Sequence, residues 1–259
     1  MHATQREELI LGLIAESGFV SFRALEQKLN ASPATIRRDL ERLASIGRVE
    51  RVHGGARLPE GEAPAKGIAT LQGVPFHENI GRHRAEKEAI GRAAAGLCEA
   101  GEGIMIDGGS TTLQMCPHLA GLNLQVLTNS LHIVSALLPQ QGTRILVPSG
   151  AVFREQNIIL AAAGEESMPR FHAPKLFMGA AAIGPQGLMQ ADIVLVAAER
   201  RLIERADEII VLVDSSKFAM TSGNVVCDLS EIDVVVTDAG ISGAHRVMLE
   251  EADIRVVVV

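Results

Sequence analysis

The chain contains no tryptophan and no tyrosine. That removes most of the aromatic platforms on which proteins stack single-stranded nucleic acid. The three cysteines, Cys98, Cys116 and Cys227, lie far apart and form no CxxC pair. This spacing argues against a disulfide framework or a zinc site and predicts a protein of the reducing cytoplasm. No apolar run approaches the roughly 20 residues that a membrane span needs, so no membrane partner is expected. The first residues, MHATQREELI, are too charged for the apolar region of a secretory leader. No GK[ST] follows a glycine-rich loop and no GxGxxG follows a strand, so neither a P-loop nor a dinucleotide site is supported. No cofactor, no metal and no catalytic residues are expected.

What is present is a 259-residue chain, long enough for one large domain or for a small one beside a medium one. The net charge of −7 is unevenly spread. Residues 1–58 hold 9 of the 24 basic and 7 of the 31 acidic side chains, leaving 15 basic against 24 acidic in the remainder. A mildly basic head on an acidic body suggests two domains with different partners.

Three short helices are expected within residues 4–46. Leu9, Ile10, Leu13 and Ile14 recur at helical spacing in the first, and Phe22, Leu25 and Leu29 in the second. The third opens with Ser32 as N-cap and Pro33 at the first helical position. Ile36, Leu40 and Leu43 then form its buried stripe, while Thr35, Arg38 and Arg42 share another face. Arg37, about 100° round from Arg38, also avoids the stripe. Hydroxyl and guanidinium groups on the exposed side suit a helix entering the major groove of double-stranded DNA. The same residues could form an ordinary solvated face. In RVERVHGGARL, Arg48 to Leu58, His53, Gly54 and Gly55 can turn the chain. A hairpin there would be a wing that brings Arg48, Arg51 and Arg57 near phosphates.

The run ASPATIRRDLERLASIGRVERVHGGA closely resembles the winged helix-turn-helix of the DeoR family of bacterial transcriptional regulators. The resemblance includes Thr35, Arg37, Arg38 and Asp39 in the helix and His53 to Ala56 in the wing. It implies that Thr35, Arg37 and Arg38 touch operator DNA. Asp39, a carboxylate that phosphate would repel, should pair with a neighbouring arginine. The expected DNA-binding set is Ser32, Thr35, Arg37, Arg38, Arg42, Arg51, His53 and Gly54.

Residues 58–82 are rich in proline and glycine without sustained periodicity, so the domains are expected at 1–58 and 83–259 with a linker at 59–82. Beyond it, aliphatic runs such as IMID (104–107), LQVLT (124–128), IIVLV (209–213) and DVVVT (233–237) alternate with helical patterns. That predicts a largely parallel sheet covered on both faces, whose ligands bind beyond the carboxyl ends of the strands. The residues there are Asp107, Gly108, Gly109, Ser110, Thr111 and Thr112, then Asn129 and Ser130, then Asp214 to Lys217. Glycines allow close approach, and hydroxyls with free amides suit an anion. Such a turn could equally be a capped strand-to-helix junction. Lys87 and Asp192 are weaker candidates.

This body also resembles the DeoR-family effector domain over about residues 76–259, through EKEAIGRAA, MIDGGSTT, LTNS and IIVLVDSSKF. The implied fold is α/β, similar to ribose-5-phosphate isomerase and glucosamine-6-phosphate deaminase. The implied effector-binding set is Lys87, Asp107, Gly109, Ser110, Thr111, Thr112, Asn129, Ser130, Asp192 and Lys217. GPQGLMQAD and AAERRLI look similar to the ascorbate-utilisation repressor branch. The resemblance implies a repressor of a carbohydrate-use operon, acting as a dimer or tetramer on double-stranded operator DNA. It would respond to a phosphorylated sugar or sugar acid. The alternative is a sugar-phosphate isomerase or deaminase with an appended DNA-binding head, using carboxylates such as Asp107, Asp192 or Asp214.

Overall fold

The structure is a computed structural model. It describes residues 6–7, 9–11, 13–14, 19–29, 31–45, 48–52, 55–57, 76–160 and 168–259. The chain divides into two compact units, Met1–Ile68 and Ala69–Val259.

In the first unit, residues 6–7, 9–11 and 13–14 are helical. Strand β1 (Phe19–Ser21), helix α1 (Phe22–Leu29) and helix α2 (Pro33–Ser45) follow, then β2 (Glu50–Val52) and β3 (Gly55–Arg57). Ile36, Leu40 and Leu43 of α2 are buried with Ile10, Ile14, Leu25, Leu29 and Val49, so the expected stripe is the one that packs. The three strands form an antiparallel sheet in the order β1-β3-β2. The hairpin β2–β3 is the expected wing. β1 is additional: three residues are too few to show strand alternation in a sequence, and only pairing with β3 makes them a strand. The Asp39 carboxylate accepts from Arg6 Nε at 2.8 Å and from a second Arg6 nitrogen at 3.2 Å. That forked pair ties α2 to the first helix.

The second unit opens with helix α3 (Phe76–Asn79), inside the segment expected as linker, and α4 (Arg84–Ala95). Residues 58–75 of that segment lie outside the described residues. Phe76 is buried, stacks on His132 with ring centroids 4.1 Å apart, and donates its amide to the Glu155 carbonyl at 3.2 Å. Seven parallel strands then make the main sheet: β4 (Gly103–Ile106), β5 (Gln125–Leu127), β6 (Arg144–Leu146), β9 (Ala173–Met178), β12 (Ala206–Leu212), β14 (Val234–Thr237) and β15 (Arg255–Val258). Their spatial order is β15-β14-β12-β9-β4-β5-β6.

Successive strand residues feed opposite faces. Ile104, Ile106, Phe177, Ile210 and Leu212 pack under α4 and helix α5 (Leu131–Leu137). Met105, Leu176, Met178 and Val211 pack on the other side with Leu202 and Ile203 of helix α6 (Ile193–Ile203) and Leu249 of helix α7 (Gly243–Glu251). Each such fully buried aliphatic contributes roughly 1.5–3 kcal/mol. The near-continuous aliphatic strands are the consequence of covering both faces.

Two antiparallel additions were not expected from the sequence. β7 (Ala151–Phe153) pairs with β8 (Ile158–Leu160), and β10 (Ala182–Gly184), β11 (Gly187–Gln190) and β13 (Asn224–Cys227) form a small sheet. All five are short, and turns interrupt them.

The winding direction reverses between β4 and β9. From β4 the chain moves outward to β5 and β6, then returns to β9 on β4's other side and continues to β15. The carboxyl ends of β4 and β9 therefore bound a crevice of the kind in which open parallel sheets bind ligands.

α4 lies close against the 3-10 turn Thr112–His118, because Gly91 carries no side chain. A Cβ there would fall 2.5 Å from the Gln114 carbonyl carbon. Gly91→Ala is expected to lower the urea midpoint, costing about 1–3 kcal/mol through overpacking. An unaltered midpoint would contradict this packing.

Candidate functional site

In the first unit, Ser32 performs the capping that Ser-Pro at a helix start favours. Its Oγ accepts from the Thr35 amide at 3.2 Å and shares a hydrogen bond with Thr35 Oγ1 at 2.8 Å. Arg37 and Arg38 are exposed. The Arg37 guanidinium lies 5.4 Å from the centre of the Phe22 ring, which steadies it by a cation–π contact. Arg38 makes no hydrogen bond or ion pair with any described residue. Arg42 differs from these two. Its Nε donates to Glu7 Oε1 at 2.5 Å and a second nitrogen meets Glu7 Oε2, so the first helix holds it. Arg51 lies in β2, while His53 and Gly54 lie outside the described residues. On α2, exposed Arg37 and Arg38 thus stand with half-buried Thr35.

In the second unit, the buried polar side chains gather at the carboxyl ends of the strands. Asp107, Ser110, Thr111, Thr112, Asn129 and Ser130 are all buried there. Thr112 Oγ1 donates to the Asp107 and Gly109 carbonyls at 2.8 and 3.0 Å, closing the loop. Asn129 spans two loops: its Oδ1 accepts from the Gly108 amide and its Nδ2 donates to Asp107 Oδ1, both at 2.9 Å. Gly108 is required at this point, since a Cβ would come within 2.5 Å of Ile158 Cγ2. Ser130 caps α5 by accepting from the Ile133 amide at 3.4 Å, a long bond that leaves its oxygen weakly engaged. The hydroxyls of Ser110 and Thr111, and the amides of Gly109 to Thr111, bond to no described residue. A loop with several undirected donors is suited to an anion.

Two lysines of the second unit, Lys217 and Lys87, lie close enough to Asp214 to feel its charge. Lys217 begins beyond β12, in a short 3-10 turn capped by Asp214. Burial pulls its ammonium below the usual lysine range, against the opposing pull of the Asp214 carboxylate. Lys87 is only 1% exposed. Burial brings it down to about 8, opposed by Asp214 and reinforced by Lys217 and Arg82. Its Nζ already donates to the Asn79 carbonyl at 2.6 Å and to Asn79 Oδ1 at 3.3 Å. Lys87 therefore holds the segment that leads into α4, and Lys217 is the cation with fewer obligations. Asp192 is the N-cap of α6, with Oδ1 accepting from the Val194 amide at 3.1 Å; it is half-buried and serves the helix.

Sequence reading missed Glu199. It lies on α6 among Leu195, Leu202 and Ile203, the buried stripe of that helix. A carboxylate at i+4 from Leu195 and i−3 from Leu202 was the available signal. Gln190 Nε2 donates to its Oε1 at 2.7 Å, and its buried Oε2 has no partner. Burial first, and the Asp107 charge second, push its carboxyl well above the usual range. Asp238, beyond β14, goes the other way. Burial pushes it up, but amides of Ser215 and Gly240 outweigh that and hold it low. A cavity of about 460 Å³ opens elsewhere, lined by Arg84, Leu113, Gln114, Pro117 and Gln140 among others. None of the buried strand-end carboxyls or lysines lines it, so volume does not mark the site. Among the described residues, no group of three or more His, Cys, Asp or Glu could hold a metal ion. No helix among them is long and apolar enough to cross a membrane.

Known proteins give the two units a context. Residues 6–62 match the DeoR-like helix-turn-helix domain, and residues 82–239 match the DeoR C terminal sensor domain. The HTH-type transcriptional regulator UlaR of Shigella flexneri serotype 5b is 27% identical over 237 residues, covering 92% of this chain and 91% of that protein. The UlaR of Escherichia coli strain SMS-3-5 shows the same identity and coverage. Among solved structures, ribose 5-phosphate isomerase A of Methanocaldococcus jannaschii aligns with 51% of this chain and 53% of its own at a TM-score of 0.37 and 16% identity. The chain belongs to the DeoR family of transcriptional regulators.

Burial also pushes the Asp107 carboxyl up to about 6, although the hydrogen bonds from Asn129 and Gly108 favour its ionised form. A raised acid contributes stability below its unfolded value near 4, and that contribution is lost as pH rises through about 6. Asp107→Asn is thus expected to melt a few degrees above the parent protein at pH 7.5, with the gap closing towards pH 4. Thermal melts across that range check the sign; a variant less stable at pH 7.5 would contradict it.

Proposed function

We propose that this regulator is a cytoplasmic repressor of a carbohydrate-catabolism operon, released from its operator by a phosphorylated sugar or sugar acid bound at the strand ends. The observation that carries the effector half is the loop from Gly109 to Thr112. The amides of Gly109 to Thr111 and the hydroxyls of Ser110 and Thr111 bond to no described residue, and the loop follows β4, where the sheet reverses its winding. Phosphate brings several acceptor oxygens and two charges, which such a loop can take without bulk water. The remainder of the effector would lie towards Asp107, Asn129 and Ser130.

The DNA half rests on α2. Thr35, Arg37 and Arg38 would read the major groove, with Arg51, His53 and Gly54 of the wing near the backbone. Arg42 would act by holding the first helix through Glu7. A dimer or tetramer would present two or more such helices to a repeated operator. The effector alters DNA affinity only to the extent that it binds one conformation or assembly better than another.

Fluorescence anisotropy on labelled DNA from upstream of the chain's own gene, with a panel of sugar phosphates, tests the reading. One phosphate should shift the affinity while its unphosphorylated parent does not. Tight DNA binding that nothing shifts would remove the effector assignment. Arg38→Ala is expected to weaken operator binding by about tenfold or more, from loss of a base or phosphate contact, with thermal stabilisation by the effector intact. Thr111→Val should keep DNA binding and weaken the response to effector by a similar factor; a normal response would sink the anion loop.

A further inference from the structure

Residues 108–153 contain a single Asp, Glu, Lys or Arg side chain, that of Arg144, in a chain that is 21% charged. Part of this uncharged stretch reaches the surface: Leu131, Leu138, Val147 and Val152 are exposed. Leu138 closes α5 with helical backbone, and its amide donates to the Val134 carbonyl at 3.0 Å. Leu131, Ser135 and Leu138 therefore line up at i, i+4 and i+7 on one exposed face of α5. β6 follows α5 and is, among the described residues, the last strand on its side of the main sheet. The Arg144 amide donates to the Leu124 carbonyl at 2.8 Å, and the Leu146 carbonyl accepts from the Thr128 amide at 3.0 Å. Alternation along the strand then turns the amide and carbonyl of Ile145 away from β5, towards a side where no described strand pairs with β6. Such an edge is a template for a further strand, and proteins commonly guard it with charge. Here a single arginine stands at its start, and exposed Val147 follows it.

The charge distribution decides what fits this flank. Residues 59–259 hold 24 acidic and 15 basic side chains; setting aside Arg144, 24 acids face 14 bases outside the 108–153 stretch. Two copies meeting through those other surfaces repel each other, and a basic partner would be drawn to them instead. The flank of α5 and β6 has no acid with which to repel its own copy, and loss of charge around exposed aliphatics is the compositional mark of an interface core. The edge of β6 is also complementary to itself. Turned antiparallel by a two-fold axis, each copy offers the other an outward amide and carbonyl. We propose that the exposed face of α5 and the edge of β6 form the interface between two copies of this chain. The inference supplies a surface for the dimer or tetramer in the operator reading above and does not depend on the effector assignment.

Sedimentation equilibrium of the full chain, without DNA or effector, tests the interface; interference optics suit a protein that lacks tryptophan and tyrosine. The parent protein should self-associate at micromolar concentration. Leu138→Glu places an acid on each side of the contact and should weaken association by about a hundredfold or more, turning a dimer into monomers or a tetramer into dimers. Leu138 is 71% exposed, so the fold of the single chain does not need it, and circular dichroism checks this. Val147→Glu should act in the same direction and serves if Leu138→Glu does not fold. Ile193→Glu, at an exposed aliphatic of α6, should leave association within about twofold of the parent. Association unmoved in a folded Leu138→Glu protein, or weakened as much in Ile193→Glu, would overturn this interface and leave the operator reading to a different contact. A parent protein that stays monomeric would overturn both the interface and the assembly in that reading.

Discussion

Asn129 accepts from the Gly108 amide with one side-chain atom and donates to the Asp107 carboxylate with the other. These two hydrogen bonds across the ends of β4 and β5 fix the loop that runs from Gly108 to Thr112. The strands end inside the protein, so their terminal polar groups must find partners without water. Asn129 supplies them from an adjacent strand, and Thr112 completes the loop from below. The donors left over, from Gly109 to Thr111, are then held in place with nothing of the described chain to bind. The anion site proposed above would thus be preformed by satisfying the rest of the loop.

The same desolvation governs the buried charges of the second unit. Asp107 and Glu199 are pushed up, and Lys87 and Lys217 are pulled down, all chiefly by burial. Burial disfavours the charged form of each of these groups, and a partner that brings hydrogen bonds or opposite charge would offset part of that cost. Lys87 shows the structural side of the arrangement. It carries a charge near Asp214 and Lys217, yet its hydrogen bonds go to Asn79, so it joins the pocket wall to the segment running into α4.

In the DNA-binding unit, two buried acids handle the charge. Asp39 and Glu7 each engage an arginine, and these two forked pairs span the first helix and α2. They occupy Arg6 and Arg42 and leave Arg38 open. Two arginines on the same helix, four residues apart in sequence, thus have different roles. Burial of the Ile36, Leu40 and Leu43 stripe fixes which side of α2 faces out. The acid partners decide which of the exposed cations remain available.

The helices of the head, the parallel strands and the strand-end residues from Asp107 to Ser130 could be read from the sequence alone. Each depends on local spacing: a 3.6-residue apolar repeat, an aliphatic run, a glycine-hydroxyl turn after a strand. β1, β7, β8 and the small sheet of β10, β11 and β13 were not read, because each is too short to show strand alternation and lies outside the regular succession of aliphatic runs and helices that announces the parallel sheet. Only the tertiary structure gives individual charges their partners: Lys87 bonds Asn79, Arg42 bonds Glu7 and Asp192 caps its own helix, since a side chain's partner depends on what folds beside it. Glu199 is buried for the same reason: along the chain it is one acid among Ala and Arg, and only the packing of α6 brings it beside Gln190 in the interior.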